Sequence, residues 1–117
     1  MIQIKRVYAK PAENDGLRVL VDRIWPRGIS KTRARIDKWE KEWAPSTALR
    51  KWFAHDPGKW TVFRARYLAE LRASDQKASL REVARYAKRR RVTLVYSAAD
   101  EHHNQAVVLR EVLKRLS

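Results

Sequence analysis

Two short segments of the chain concentrate groups suited to holding an anion. In Asp22-Arg23-Ile24-Trp25-Pro26-Arg27-Gly28, two guanidiniums, an indole and a carboxylate share one stretch that proline stiffens and glycine releases. Arg23 and Arg27 are of the type that grips a phosphate or carboxylate with two parallel hydrogen bonds, and Trp25 and Gly28 shape the same loop. The second segment, Ser97-Ala98-Ala99-Asp100, runs small residues into a predicted helix, whose free N–H groups and positive dipole end favour negative charge. Ser97, Asp100 and Asn104 complete the candidate ligand set. Asp22 is a candidate acid or base, since it combines a buried strand end with neighbouring guanidinium charge, which is expected to hold it ionised. His55, just before Asp56-Pro57, is a second candidate proton carrier. The plainer alternative is that Asp22 pairs with one arginine and Trp25 simply packs.

Other chemistries lack their residues. The chain has no cysteine, which removes disulfides, thiolate nucleophiles and cysteine-bound metal centres. His102 and His103 are adjacent, so on a helix their side chains diverge by about 100° and do not share an ion; no metal site is expected. Ser46 and Ser97 lack the glycine-flanked elbow of a serine nucleophile. Three glycines build neither a phosphate-cradling loop nor a dinucleotide fingerprint, so no cofactor is expected.

The elements that must carry these loops follow from the apolar pattern. Residues 2–8, 17–22 and 92–96 read as strands, the last two apolar enough for burial on both faces. The loop at 10–16 is too short for a crossover helix. Ser46 after Pro45 is a helix cap for Leu49, Trp52 and Phe53, and Asp56-Pro57 places a capping carboxylate before a proline suited to the first helical turn. Trp60, Phe63, Tyr67 and Leu71 then recur at helical spacing. Ser79 and Glu82 have the spacing of a capping box, with Asp75 as an earlier possible start. Asp100 is expected to cap a last helix carrying Val108, Val112 and Leu116 on one side. Residues 30–43 are ambiguous, although Ile36, Trp39 and Trp43 fit one helical face. The order of strand, long helical insertion, strand and helix predicts an α/β fold: a small, mostly parallel three-stranded sheet with helices packed around it, in one domain.

With 117 residues, 44% of them hydrophobic and five of them tryptophan, the chain can build one core. The net charge is +14. The start of the chain lacks a signal-peptide core and no apolar run approaches the roughly 20 residues of a membrane span, so a cytoplasmic protein without membrane contact is expected. Arg85, Lys88, Arg89, Arg90 and Arg91 exceed what capping a helix end requires. With Arg64, Arg66 and Arg72 they suggest a phosphate-tracking surface, and hence a nucleic-acid-binding module as an alternative function.

Residues 20–28, Trp39, Ala44-Pro45-Ser46, Leu49-Arg50-Lys51-Trp52-Phe53, His55-Asp56-Pro57 and Leu94-Val95-Tyr96-Ser97-Ala98 with Asn104 resemble the YeaO-like family of small bacterial proteins. The resemblance spans nearly the whole chain. It implies a compact α/β domain with its site at the strand-end loops, and supplies no reaction. Relatives commonly follow the asparagine with histidine, whereas Gln105 follows Asn104 here; if that histidine is an acid or base, His103 or His55 must replace it. The leading expectation is a domain that binds a small phosphate- or carboxylate-bearing ligand. The alternatives are the nucleic-acid module and a hydrolase or lyase using His55 or Asp22.

Overall fold

The computed structural model of the chain describes residues 1–116. Four strands, β1 (Ile2–Arg6), β2 (Leu17–Leu20), β3 (Lys38–Trp39) and β4 (Val92–Tyr96), form one sheet in the order β1-β4-β2-β3, with every neighbouring pair parallel. The helices are α1 (Lys31–Ala34), α2 (Thr47–Phe53), α3 (Trp60–Ala73), α4 (Lys77–Arg89) and α5 (Gln105–Leu116). The three expected strands are all present, and the expectation of three falls short by one. The fourth, β3, lies in the ambiguous segment, where Lys38 and Trp39 pair with Val19 and Leu20. A strand of two residues has no room to display a period. Ile36 and Trp43 do not share a helical face either, because they join apolar clusters on opposite sides of the sheet.

Alternation along β2 and β4 sorts their side chains between those two sides. Val19, Val21, Val92, Leu94 and Tyr96 face the main core, which α2 to α5 supply through Phe53, Phe63, Tyr67, Val83, Leu109 and Leu113. Leu20 and Val95 face a smaller cluster with Val7 and Ala34. The four longer helices therefore cover one face. The other is covered by α1 and by residues 7–16, a crossover from β1 to β2 that carries only a 3-10 turn, Glu13–Asp15. Thr93 Oγ1, in the middle of β4, donates to the Asp15 carbonyl at 2.6 Å and ties this crossover to the sheet. Gly16, at φ +67°, ends it. A Cβ there would lie 2.1 Å from the Arg91 carbonyl oxygen, which must stay close to receive the Leu17 N–H.

A buried ion cluster lies under the same crossover. Arg18 is 3% exposed and Asp15 is 1% exposed, although Arg18 stands in the middle of an apolar run. Arg18 donates to Asp15 at 2.7 Å and to the Ala34 carbonyl at 2.8 Å, and Lys5 reaches Asp15 at 3.1 Å. Burial pushes the Asp15 carboxyl up, but hydrogen bonds from the Ala12 N–H, Lys5 and Arg18 outweigh it and leave the group below its ordinary range. The cluster fixes β1, β2 and α1 together, a junction that apolar packing alone leaves thin.

Among the caps, Ser46 accepts from the Leu49 N–H and Asp56 from the Gly58 N–H, as the sequence indicates. The proposed capping box at Ser79 and Glu82 does not form. The helix α4 starts earlier, after Gln76, and Ser79 Oγ instead donates to the Gln76 carbonyl and accepts from Trp43 Nε1 at 2.9 Å. Because Ser79 lies inside the helix, its hydroxyl is free to accept from the fully buried indole of Trp43.

Removing Arg18 leaves the buried Asp15 with only the partly exposed Lys5 as counter-charge, at a cost of about 3 kcal/mol. Arg18→Met is expected to lower unfolding stability in urea by that amount at neutral pH. Because the Asp15 carboxyl is depressed in the fold, its contribution is present above the unfolded pKa and lost as pH falls through the folded one. The deficit of the variant should therefore shrink in acid; a deficit independent of pH, or under 1 kcal/mol, contradicts this role.

Candidate functional site

Parallel strands put all their carboxyl ends on one edge of the sheet, and β2 and β4 are neighbours there. The two segments singled out above are the loops that leave these two strands, so the topology brings them together. Between them, α2 and α5 lies a cleft of about 500 Å³. Asp22, Arg23, Trp25, Arg27, His55, Ser97 and Asn104 all line it. Gly28 and Asp100 do not. Gly28 has a φ of +74° with open space around it, so its part is to turn the loop.

Asp22 is the junction of the two sides. Its Oδ2 accepts from the Ser97 N–H at 3.1 Å and from Ser97 Oγ, and its Oδ1 accepts from Gln105 Nε2 at 2.6 Å. Trp39 Nε1 donates to its carbonyl at 2.7 Å. The carboxyl is raised above its ordinary pKa because burial outweighs the hydrogen bonds of Ser97 and Gln105 and the charge of Arg50. Guanidinium charge was expected to hold Asp22 ionised; burial is the larger influence and shifts the carboxyl upward. The guanidinium charge that opposes burial there is that of Arg50, while Arg23 donates to the Ala44 carbonyl.

Arg23 donates to the Ala44 carbonyl at 3.1 Å and lies 3.8 Å from Glu42, so it braces the loop against the start of α2. Its Nε is buried without a partner. Arg27 is exposed and its side chain makes no hydrogen bond or ion pair among the described residues, while its carbonyl accepts from the Tyr8 hydroxyl. Trp25 is anchored by donating to the Ile29 carbonyl at 2.6 Å and meets Trp39 edge-on at 5.5 Å.

One cleft-lining guanidinium without a hydrogen-bond acceptor was not singled out in the sequence. Arg50 lines the cleft from α2, is half-buried, and its guanidinium meets no protein acceptor; its Nε is wholly buried. A buried donor left unpaired costs about 1–3 kcal/mol, and more when charged. Lys51, next to it, also lines the cleft. The available signal was positional. Arg50 lies four residues after the Ser46 cap, one turn into a helix whose start packs against the loop at Arg23.

The histidines enter from two directions. His55 follows Ala54 in the left-handed region, at φ +56°, where α2 turns towards the Asp56 cap, and it lines the cleft while exposed. His103 lines the opposite side. Its Nδ1 lies 2.8 Å from Asp100 Oδ2, and its ring meets Trp60 edge-on at 5.3 Å. The His102 N–H and the His103 ring and N–H hold the Asp100 carboxyl below its ordinary range. Asp100 therefore organises the loop and is not the cap of α5. That cap is Asn104, whose Oδ1 accepts from the Ala106 and Val107 N–H groups at 2.9 and 3.2 Å.

The basic run lies at the other edge of the sheet, where α4 leads into the start of β4. Arg85, Lys88, Arg89 and Arg90 are exposed, and Arg91 donates to Gln3. Arg64 pairs with Glu111 and Arg66 lies over the Trp52 ring at 4.5 Å, so both are engaged elsewhere and do not extend that run.

The family model described as the inactive DUF488-N3 subclade matches residues 1–116. The chain is 46% identical to the uncharacterized protein YeaO of Escherichia coli (strain K12) over 115 residues, 98% of each. It is 40% identical to an uncharacterized protein of Mycobacterium tuberculosis over 112 residues, 96% of this chain and 92% of that one, and equally to one of Mycobacterium bovis. No solved structure matches it significantly.

A raised folded pKa means that the folded state holds the Asp22 proton more tightly than the unfolded chain. Its contribution to stability is then fully present below the ordinary value of 3.8 and lost as pH rises through the folded pKa. Asn at this position has no such loss, and Gln105 can turn its amide to meet it. Thermal melts across this window should show Asp22→Asn gaining on the wild type as pH rises; a constant gap, or one moving the other way, contradicts the burial argument.

Proposed function

The chain belongs to the YeaO-like family, and within it we propose that this protein is a binding domain for a small phosphate- or carboxylate-bearing ligand held in the strand-end cleft. The observation that carries this reading is Arg50, a half-buried guanidinium with no protein acceptor, facing a cleft that also receives Arg27 and Lys51. An anion there completes hydrogen bonds that the protein leaves open. The word "inactive" in the description of the subclade fits holding better than turning over. It weighs against a hydrolase or lyase using His55 or Asp22. Trp25 and Pro26 supply apolar walls, as ligand sites commonly have. Arg23, Ser97 and Asn104 set the shape of the site. A cytoplasmic location belongs to the same reading, and no helix among the described residues is long and apolar enough to cross a membrane.

A second reading, nucleic-acid binding, is favoured by the exposure of Arg85, Lys88, Arg89 and Arg90 away from the cleft. The two readings separate by salt. Counterion release makes polyanion affinity fall linearly on a log–log salt plot, with a slope smaller by about one for each contacting cation removed.

Calorimetric titration with inorganic phosphate, near an ionic strength of about 0.15 M, should give saturable binding that Arg50→Gln weakens by about tenfold or more, close to 1.4 kcal/mol. Replacing Arg89 and Arg90 by alanine should leave it unchanged. Equal loss from both variants, or no binding by the wild type, rules out the cleft as the site.

A further inference from the structure

A second concavity, sharing no residue with the cleft, lies where α3, α4 and α5 meet. Its floor is apolar: Leu71 and Leu80 are buried, Leu68 and Val112 half-buried, and Leu116 is 39% exposed. Its rim is cationic. Arg72 from α3, Lys77 and Arg81 from α4 and Arg115 from α5 all line it, and all are exposed. None of the four makes a hydrogen bond or ion pair among the described residues.

The absence of acid here is not an accident of crowding. Each of the three helices carries one acidic residue, and each acid is engaged away from the groove. Glu70 accepts from the Ser46 N–H and hydroxyl, Glu82 from Lys38 at 3.0 Å, and Glu111 from Arg64. Asp75, in the turn between α3 and α4, is exposed, does not line the groove and forms no ion pair among the described residues. The groove is thus left with apolar contact area and four unneutralised cations.

We propose that this groove docks an acidic amphipathic helix of a partner protein, with leucine-sized side chains seated on the floor and carboxylates meeting the rim. The volume, about 260 Å³, suits one or two such side chains. Helix-in-groove recognition uses this combination of apolar anchors at one face and complementary charge beside them. A nucleic acid matches the rim but has no side chain for the floor. An anionic bilayer is a plane and does not enter a concavity. A second copy of this chain carries +14 and is repelled by the rim as a whole.

The test uses the full chain and a labelled synthetic peptide with leucines at i, i+3, i+4 and i+7 and glutamates elsewhere, followed by fluorescence anisotropy at about 0.15 M ionic strength. Binding should weaken by about tenfold in Leu116→Gln and again in Arg81→Glu, both exposed positions where folding, checked by circular dichroism, is retained. Arg89→Glu, an equal change of charge outside the groove, should leave it within about twofold. A peptide with serines for leucines should bind at least about tenfold more weakly. The proposal is overturned if the leucine peptide does not bind, if the serine peptide binds as well, if Arg89→Glu costs as much as Arg81→Glu, or if single-stranded RNA or anionic vesicles displace the peptide from the wild type but not from Arg89→Glu.

Discussion

The carboxylate of Asp22 accepts hydrogen bonds from a residue just past β4 and another at the start of α5, while its own backbone belongs to the loop after β2. These bonds fix the distance between the two sides of the cleft. Everything that lines the cleft is placed relative to them: Ser97 directly, Asn104 through the first turn of α5, and Arg23 and Trp25 through the chain that follows Asp22. The parallel sheet makes this possible, because neighbouring parallel strands deliver the loops after their carboxyl ends to one edge. The carboxylate is costly to bury, and its raised pKa is the sign of that cost.

Around this junction the guanidiniums divide into two roles. Arg23 and Arg18 have their donors largely taken up by carbonyls and carboxylates of the chain, and they hold loops and strands in place. Arg27 and Arg50 do not. The net charge of +14 does not separate these cases, since it counts a buried strut and an open donor alike. What separates them is the partner list of each guanidinium, and by that measure Arg50 is the group that a ligand would satisfy. The same measure applied to α3, α4 and α5 finds the cations around the second groove unpaired, while the acids of those helices are engaged.

Much of this was legible in the sequence where one local rule dominated. The caps at Ser46 and Asp56 follow from a short side chain next to free N–H groups, and β1, β2 and β4 follow from apolar runs. The convergence of the loops at Asp22 and Ser97 followed from the parallel sheet. Reading failed where a local signal had a close competitor or was too short. Helix α4 begins at Lys77, ahead of its expected Ser79 cap, Asn104 displaced Asp100 as the cap of α5, and β3 was too short to carry a pattern. The Asp15–Arg18 cluster was hidden because an arginine inside an apolar strand has no local signature of its partner. Arg50 was in plain view within a helix, but only the tertiary structure shows that its guanidinium has no hydrogen-bond acceptor.

The central claim is that the Arg50 guanidinium lacks a hydrogen-bond acceptor until an anion enters the cleft. It is tested most directly by following the arginine Nε–Hε resonances by NMR while phosphate is added, with the Arg50 signal assigned from its disappearance in Arg50→Lys. The account predicts that the Arg50 resonance moves in a saturable way, together with the Ser97 and Gln105 signals that report on Asp22, while the signals of Arg85 to Arg91 move little. If the Arg50 resonance stays in place while those of the basic run shift, the cleft is not where this protein meets its anion.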